Sequence, residues 1–279
     1  MMKKLIYMIY INLLILMLSG CQPAVNHDFI MPLLEDYQLE DFDYVDYEQM
    51  YPNKRKTLSE EALDHAVKSN VWIHNVAYNN PWLLIDASLY TGSGVIFHET
   101  EDYYYVLTNA HVVQKNEAYI FQAFEVYDYE DNKYDGFIYE GSVDLELDLS
   151  VIVFAKEDTE LTVLTLANGQ VLIGEIVYAI GNPLQKRNVI TDGKVVRYNR
   201  TVVEDKDGNI NYMNFYAITH DASIDEGSSG GMLINIDLYI VGINFASGKD
   251  EEKVESFSIP SNLVVSYLNE LISEQNNID

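Results

Sequence analysis

From Val71 to Pro260 the chain is cut into short β-branched and aromatic runs. They read VWIHNVAY, GVIFH, YYYVLTN, AYIFQAFEVY, LSVIVF, LTVLTL, EIVYAIG, KVVRYN, YMNFYAI, GMLINI and YIVGINF. Turn signals stand between them at Asp135-Gly136, Asn168-Gly169, Asn182-Pro183 and Asp207-Gly208. Many short strands at this spacing predict an all-β barrel or sandwich, with each run a strand. Helices are expected only at the ends of this region. Thr57 and Glu60 make a capping box ahead of Ala62, Leu63, Ala66 and Val67 on one face. Ser261 to about Ser273 carries Val264, Tyr267, Leu268 and Leu271 on one face.

Ahead of this region the N-terminus reads as an export signal. Lys3 and Lys4 precede an apolar run from Leu5 to Leu18, too short for a comfortable membrane span. Leu18-Ser19-Gly20-Cys21 resembles the lipobox of bacterial lipoproteins, which implies cleavage before Cys21 and lipidation of that cysteine. The alternative is an uncleaved N-terminal anchor. Cys21 is the only cysteine, so an internal disulfide is excluded and stability must come from a core. Residues 22 to about 56 read as an acidic, tyrosine-rich tether that like charges extend. It can reach on the order of 100 Å. The rival reading is a docking motif or an added strand. The net charge of −27 argues against nucleic acid and anionic headgroups as partners. Membrane attachment would then rest on acyl chains, at least two of them.

The stretch DEGSSGGML, Asp225 to Leu233, puts two hydroxyls inside a glycine bracket, a backbone shaped for close approach to a ligand. A serine hydroxyl is a weak nucleophile until an adjacent base removes its proton. His111 in LTNAHVV is the candidate base, at the end of a strand. Asp148 in LELDLSVIVF is the candidate orienting acid, lodged before an apolar strand where a lone charge is costly. The order His111, Asp148, Ser229 is that of the chymotrypsin-type triad. Gly227-Ser228-Ser229-Gly230-Gly231 also matches the G-x-S-x-G elbow of α/β-hydrolases. That fold needs a histidine after the serine, and none follows Ser229.

The segments TGSGVIF, LTNAHVV, LDLSVIVF, GEIVYAIGNPL, ITDGKVV, THDASIDEGSSGGML, IVGINFA and FSIPSNLV together resemble the HtrA/DegP-like trypsin-fold serine proteases. They occur in that family's order over roughly residues 60 to 270. The resemblance implies two antiparallel six-stranded β-barrels, about 71–156 and about 161–260, then a C-terminal helix at 261–273 and a tail at 274–279. It implies His111 as base, Asp148 as its orienter and Ser229 as nucleophile. The N–H groups of Gly227 and Ser229 would form the oxyanion hole around Ser228 as spacer. Ser223 would be the base of the primary pocket, with Ile243, Asn244, Phe245 and Ala246 as its wall. No acid stands at Ser223, so neutral, aliphatic or small side chains are expected there.

Departures from the family are Ser228 for the usual Asn, Asp225-Glu226 for an Asn-Pro pair, and Met232 for Pro or Ala. The two acids are expected to face solvent. The PDZ domain that often follows is expected to be absent, the chain ending at Asp279. No cofactor and no metal are implied; His27, His65, His74, His98 and His220 show no metal-ligand spacing. Asp205 to Asn209 reads as a hairpin turn rather than a calcium loop. Tyr127 to Tyr139 reads as a solvated hairpin turning at its Asp-Gly, or as a regulatory loop by resemblance. The expected function is a lipid-anchored, exported serine endopeptidase acting on unfolded polypeptides, with assembly into an oligomer left open. The alternative keeps the fold as a slow or inactive surface binding module.

Overall fold

The computed structural model describes residues 57–80, 87–157, 159–204, 210–250 and 253–275. The export signal, Cys21, the acidic tether, His27 and the 205–209 loop lie outside the described residues. The first helix, α1 (Glu60–Val67), leads into β1 (Asn70–Tyr78), β2 (Ala87–Glu99) and β3 (Tyr103–Thr108). A single helical turn, α2 (Ala110–Val113), then precedes β4 (Phe121–Tyr127), β5 (Lys133–Ile138) and β6 (Ser150–Ala155). The second half holds β7 (Ile176–Gly181), β8 (Val189–Asn199), β9 (Val202–Glu204) and β10 (Ile210–Tyr212). It closes with β11 (Ala217–His220), β12 (Met232–Asn235), β13 (Ile240–Asp250), β14 (Lys253–Pro260) and α3 (Ser261–Gln275).

The order β1-β2-β3-β6-β5-β4 closes one barrel, and β11-β14-β13-β12-β7-β8 closes another. Strands β9 and β10 form a separate two-stranded ribbon. The pairings in both barrels are antiparallel. The expected pair of six-stranded antiparallel barrels is what the chain forms.

Period-two alternation within single strands explains the continuous apolar runs. In β3, Tyr104 and Val106 fill the first barrel, while Tyr105 and Leu107 face outward into a core shared with the second. In β7, Val177 and Ala179 fill the second barrel, while Tyr178 and Ile180 join that shared core. Both faces of these strands are dry, so no polar residue interrupts them. The two end helices seal the same core, α1 through Ala66 and α3 through Val264, Val265, Leu268 and Leu271. Among the described residues, no helix is long and apolar enough to cross a membrane.

Four local expectations fail for identifiable reasons. Helix α1 starts at Glu60 and is capped by Ser59, whose Oγ accepts from Ala62 N at 3.3 Å, rather than by Thr57. Starting there sets Glu60 and Glu61 in the first turn, against the positive end of the dipole, and leaves Leu58 buried. LTVLTL is not a strand but the connector between the barrels. Its Leu161, Leu164 and Leu166 are buried, and its backbone bonds to Lys68, Ile96 and Ile240. Asp135-Gly136 lies inside β5 instead of turning. The turn comes earlier, at 128–132, because Asp128 organises it, accepting from Glu130 N and Asn132 N at 2.8 and 3.0 Å. Asp128, Tyr134 and Tyr139 are buried while residues 130–133 and Asp135 are exposed, so only part of this hairpin is solvated.

One buried histidine belongs to the barrel rather than to any cleft. His220 on β11 is fully buried, its Nε2–H donating to Ser258 Oγ at 3.0 Å. Ser258 Oγ in turn donates to Asn244 Oδ1 at 2.8 Å. Burial pushes the imidazole from its ordinary 6.5 down to about 3. Below pH 6.5 the unfolded chain therefore takes up a proton that the folded chain refuses, and stability falls as pH drops towards 3. The loss is about 1.4 kcal/mol per pH unit. His220→Asn removes this titration. The stability advantage of wild type over that variant should shrink by about 2–3 kcal/mol between pH 7 and 4.5. A difference in denaturant unfolding free energy that is flat with pH would refute it.

Candidate active site

The chain delivers His111 by burying everything around it. Strand β3 ends at Thr108, and the one-turn α2 carries Ala110, Val112 and Val113 inward, leaving His111 half-exposed on the opposite side. Asp148 comes from a loop that Asp144 organises. Asp144 Oδ1 accepts from Glu146 N and Leu147 N at 2.8 and 2.9 Å, and Asp144 and Leu149 exchange backbone bonds at 2.9 and 3.0 Å. This closure drives Asp148 into the left-handed region at φ 56°, an uncommon conformation for a non-glycine residue.

The two side chains meet closely. Asp148 Oδ2 lies 2.7 Å from His111 Nδ1, while Oδ1 accepts from the His111 backbone N–H at 2.9 Å. Asn109 Nδ2 holds the Asp148 carbonyl at 2.8 Å. An ionised carboxylate only accepts, so Nδ1 carries the proton and Nε2 carries the lone pair. The chemistry this permits is proton abstraction at Nε2.

The Ser229 turn is built from its own backbone. Ser228 N–H donates to the Asp225 carbonyl at 2.9 Å, and Ser228 Oγ accepts from Asp225 N at 3.3 Å. Gly227 and Gly230 sit at φ 95° and 83°. A Cβ at Gly227 would stand 2.7 Å from the Asn182 carbonyl oxygen, and one at Gly230 would stand 2.1 Å from that of Ser93. Both positions require glycine on either ground.

Ser93 of β2 ties this turn to the first barrel. Its N–H donates to the Ser229 carbonyl at 2.7 Å, and its Oγ donates to the Gly227 carbonyl at 2.7 Å. The same Oγ accepts from Asn182 N at 2.8 Å. Next door, a Cβ at Gly92 would stand 2.6 Å from a Val112 methyl and 3.2 Å from the Ser229 carbonyl oxygen. The Ser229 turn therefore packs beside the helical turn that carries His111. Ser229 Oγ itself donates to the Phe245 carbonyl at 3.3 Å. No hydrogen bond joins it to His111 among those the described residues make. Phe245 is the bulged residue where β13 slips register between Asn244 and Ala246, which turns its carbonyl towards Ser229.

The N–H of Ser228, the expected spacer, is occupied by the Asp225 carbonyl. Those of Gly227 and Ser229 make no backbone bond among the described residues. The Glu226 carbonyl is held by Leu184 N at 2.8 Å. Because the peptide is trans, this aims Gly227 N–H to the opposite side.

Of the residues expected to form the primary pocket, Ser223 is exposed, and its carbonyl accepts from Thr191 Oγ1 at 2.8 Å. Ile243, Asn244 and Phe245 are buried, the ring of Phe245 packing against Phe215 and Phe257. Asn244 spends its side chain on Met232 and Ser258. Ala246 is partly open. Glu226 is exposed as expected, while Asp225 is half-buried. Tyr90, unmarked in the sequence reading, has its ring centroid 6.3 Å from that of His111. Burial, then the carboxylates of Glu226 and Asp148, push its phenol pKa up. Ser93, Asn182 and Tyr90 were all missed; Ser93 alone left a signal, the glycines on either side of it in TGSGV. Among the described residues, no group of three or more His, Cys, Asp or Glu side chains is arranged to hold a metal ion.

Comparison with known proteins agrees with this fold. Residues 92–243 match the trypsin-like peptidase domain. The chain is similar to human serine protease HTRA4, 35% identical over 190 residues, which are 67% of this chain and 36% of that one. It is 34% identical over 196 residues to serine protease Do-like HtrB of Bacillus subtilis, covering 64% of this chain and 38% of that one. Against the serine protease HtrA-like of Staphylococcus aureus the figure is 30% over 229 residues, or 78% and 28% of the two chains. The chain thus spans about a third of the length of these relatives. With over half of its sequence matched and the barrel pair formed, the chain belongs to the family of trypsin-like peptidase domains.

Proposed function

We propose that this protein is a lipid-anchored, exported serine endopeptidase that cleaves unfolded or exposed polypeptide segments. Ser229 attacks the scissile carbonyl while His111 Nε2 takes its proton and then returns it to the leaving amine. Asp148 holds the ring in the tautomer that leaves Nε2 bare and stabilises the imidazolium that forms. Gly227 and Ser229 N–H groups take the charge that develops on the carbonyl oxygen. Water then attacks the acyl-enzyme by the same proton relay. Anchoring would run through Cys21, on the strength of its lipobox. The absence of an acid at Ser223 supports neutral side chains at the scissile residue.

The observation that carries the reading is the 2.7 Å pair between His111 Nδ1 and Asp148 Oδ2, backed by the second bond to the His111 N–H. That double contact supports Nε2 as the ring nitrogen that acts as base. The relatives' names as serine proteases add support. A second reading, a binding module with a slow site, draws on one contact, the bond from Ser229 Oγ to Phe245 instead of to His111.

A fluorophosphonate probe followed by peptide mapping tests nucleophile and activation together. The expected result is a single adduct on Ser229 that fades in acid, where an imidazole base is protonated. Folded protein that resists the probe, or carries the adduct elsewhere, rejects the protease reading.

A further inference from the structure

Between β7 and β8 the chain makes a short loop against its own conformational preference. Leu184, Gln185 and Asn188, none of them glycine, sit at φ 51°, 62° and 53°. Such a cluster of left-handed residues persists only where surroundings over-determine it. This loop also supplies Leu184 N–H, the donor that holds the Glu226 carbonyl. Whatever pins the loop therefore pins the peptide plane that aims Gly227 N–H.

Arg187 reaches out of the loop to the first barrel. Its Nε donates to Asp131 Oδ1 at 2.8 Å, its Nη2 to the Asp128 carbonyl and its Nη1 to Asn182 Oδ1 at 3.1 Å. Its guanidinium carbon lies 4.9 Å from the centroid of the Trp72 ring. Asp128, Asp131 and Trp72 all belong to the first barrel, whereas the loop belongs to the second. Asn188 adds a parallel tie, Nδ2 donating to the Tyr129 carbonyl at 3.1 Å. The 128–132 turn is a stiff anchor, because buried Asp128 takes the hydroxyl of Tyr134 and the side-chain amide of Asn132 at 3.0 and 2.9 Å. Asn182 closes the circuit, accepting from Arg187 and donating its backbone N–H to Ser93 Oγ, which holds the Gly227 carbonyl. Both carbonyls flanking the Gly227 N–H are thus held through the loop that Arg187 clasps.

We infer that Arg187 is a positioning residue for the Gly227 N–H, clasping the 183–188 loop of the second barrel to the 128–132 turn of the first. This rests on the oxyanion role proposed above for that N–H. Without the clasp the loop relaxes, Leu184 releases the Glu226 carbonyl, and the peptide before Gly227 is free to turn. Arg187 touches no residue of the His111–Asp148 pair in this arrangement, so it acts on the oxyanion donor and leaves the base alone. A planar fork with several donors suits the task, and lysine's single ammonium does not reproduce it.

The test uses the full chain and four proteins: wild type, Arg187→Met, Arg187→Lys and Asp131→Asn. Measured quantities are kcat and KM on a peptide substrate, and affinity for a peptidyl boronate, whose tetrahedral adduct engages the oxyanion donors. The same peptide as an amide and the melting temperature serve as controls. Arg187→Met is expected to lower kcat and boronate affinity roughly 10- to 100-fold, as a displaced donor does. KM and amide affinity should stay within about twofold, a split that a merely structural role would not produce. Arg187→Lys should recover little of the loss, and Asp131→Asn, which removes the charge from one of the three hydrogen-bond partners, should show a smaller loss of the same kind. Unchanged kcat and boronate affinity in folded Arg187→Met overturn the inference. So does a loss shared equally by KM and amide affinity. If Arg187→Met does not fold, the Lys and Asn variants decide by the same criteria. Wild type that neither turns over nor binds boronate overturns the protease reading and this inference with it. Wild type that does both, matched by Arg187→Met, overturns this inference alone.

Discussion

Ser229→Ala is expected to abolish cleavage of a disordered protein substrate, with kcat down by about 10⁶-fold, while the fold survives. The magnitude follows from removing the nucleophile of a triad, whose members act as a unit. Survival follows from what the hydroxyl does at rest. Its hydrogen bond, at 3.3 Å to the Phe245 carbonyl, is a long one, and losing such a bond costs about 1 kcal/mol or less. The turn itself is held by backbone groups of residues 225, 228, 230 and 231 and by Ser93, none of which the substitution touches. Melting temperature should therefore barely move while activity disappears. Equal residual cleavage by variant and native protein would favour the binding module over the enzyme.

Asp148→Asn is the second large effect, a loss in kcat of about 10⁴-fold near neutral pH. The carboxylate accepts twice from the same residue, from the His111 N–H at 2.9 Å and from Nδ1 at 2.7 Å. An amide in this place can keep its oxygen on the backbone N–H only by turning its NH₂ towards Nδ1. Nδ1 must then accept, so the proton moves to Nε2 and the base is lost. The geometry stays while the chemistry stops. Steady-state kinetics checks this, and kcat within tenfold of native would show that Asp148 does not set the tautomer.

The all-β class was legible because several strands are short apolar runs, while the pair of barrels was legible only through the family resemblance. A run such as YYYVLT has no polar alternation, and the structure explains why: Tyr104 and Val106 fill one core, Tyr105 and Leu107 another. The same signal misleads at LTVLTL, whose leucines are buried in a connector that crosses between the barrels and meets them through single backbone bonds and an isolated bridge from Leu166 to Ile240. Apolar content reports burial, and burial is shared by strands and by connectors. The Asp-Gly turn signal failed for a related reason. Asp128 takes the backbone donors of Glu130 and Asn132 ahead of Gly136, so the chain has already reversed.

For the site, residue order along the chain marked His111, Asp148 and Ser229, because few chemistries need that combination. The supporting residues left fainter traces. Ser93 and Asn182 hold the Ser229 turn through atoms more than a hundred positions apart in places, as between Ser93 Oγ and the Gly227 carbonyl. Nothing local about a serine in a strand or an asparagine before a proline announces such a reach. Ile243, Asn244 and Phe245, expected along the pocket wall, are buried, and the bulge that turns the Phe245 carbonyl towards Ser229 arises only in the pairing of β13 with β14.

What the amino-acid order determined by itself is local: where strands begin, where glycine must replace a side chain, and which hydroxyl, imidazole and carboxyl are on offer. Those outcomes depend on backbone sterics and on short-range periodicity, which a linear string carries in full. Only tertiary structure decided which nitrogen of His111 is bare, which N–H beside Ser229 is unclaimed and which face of β13 meets the cleft. Each of these depends on a hydrogen bond or a packing contact made across the two barrels. Such a contact is defined by direction and distance, and neither exists until the chain has closed on itself.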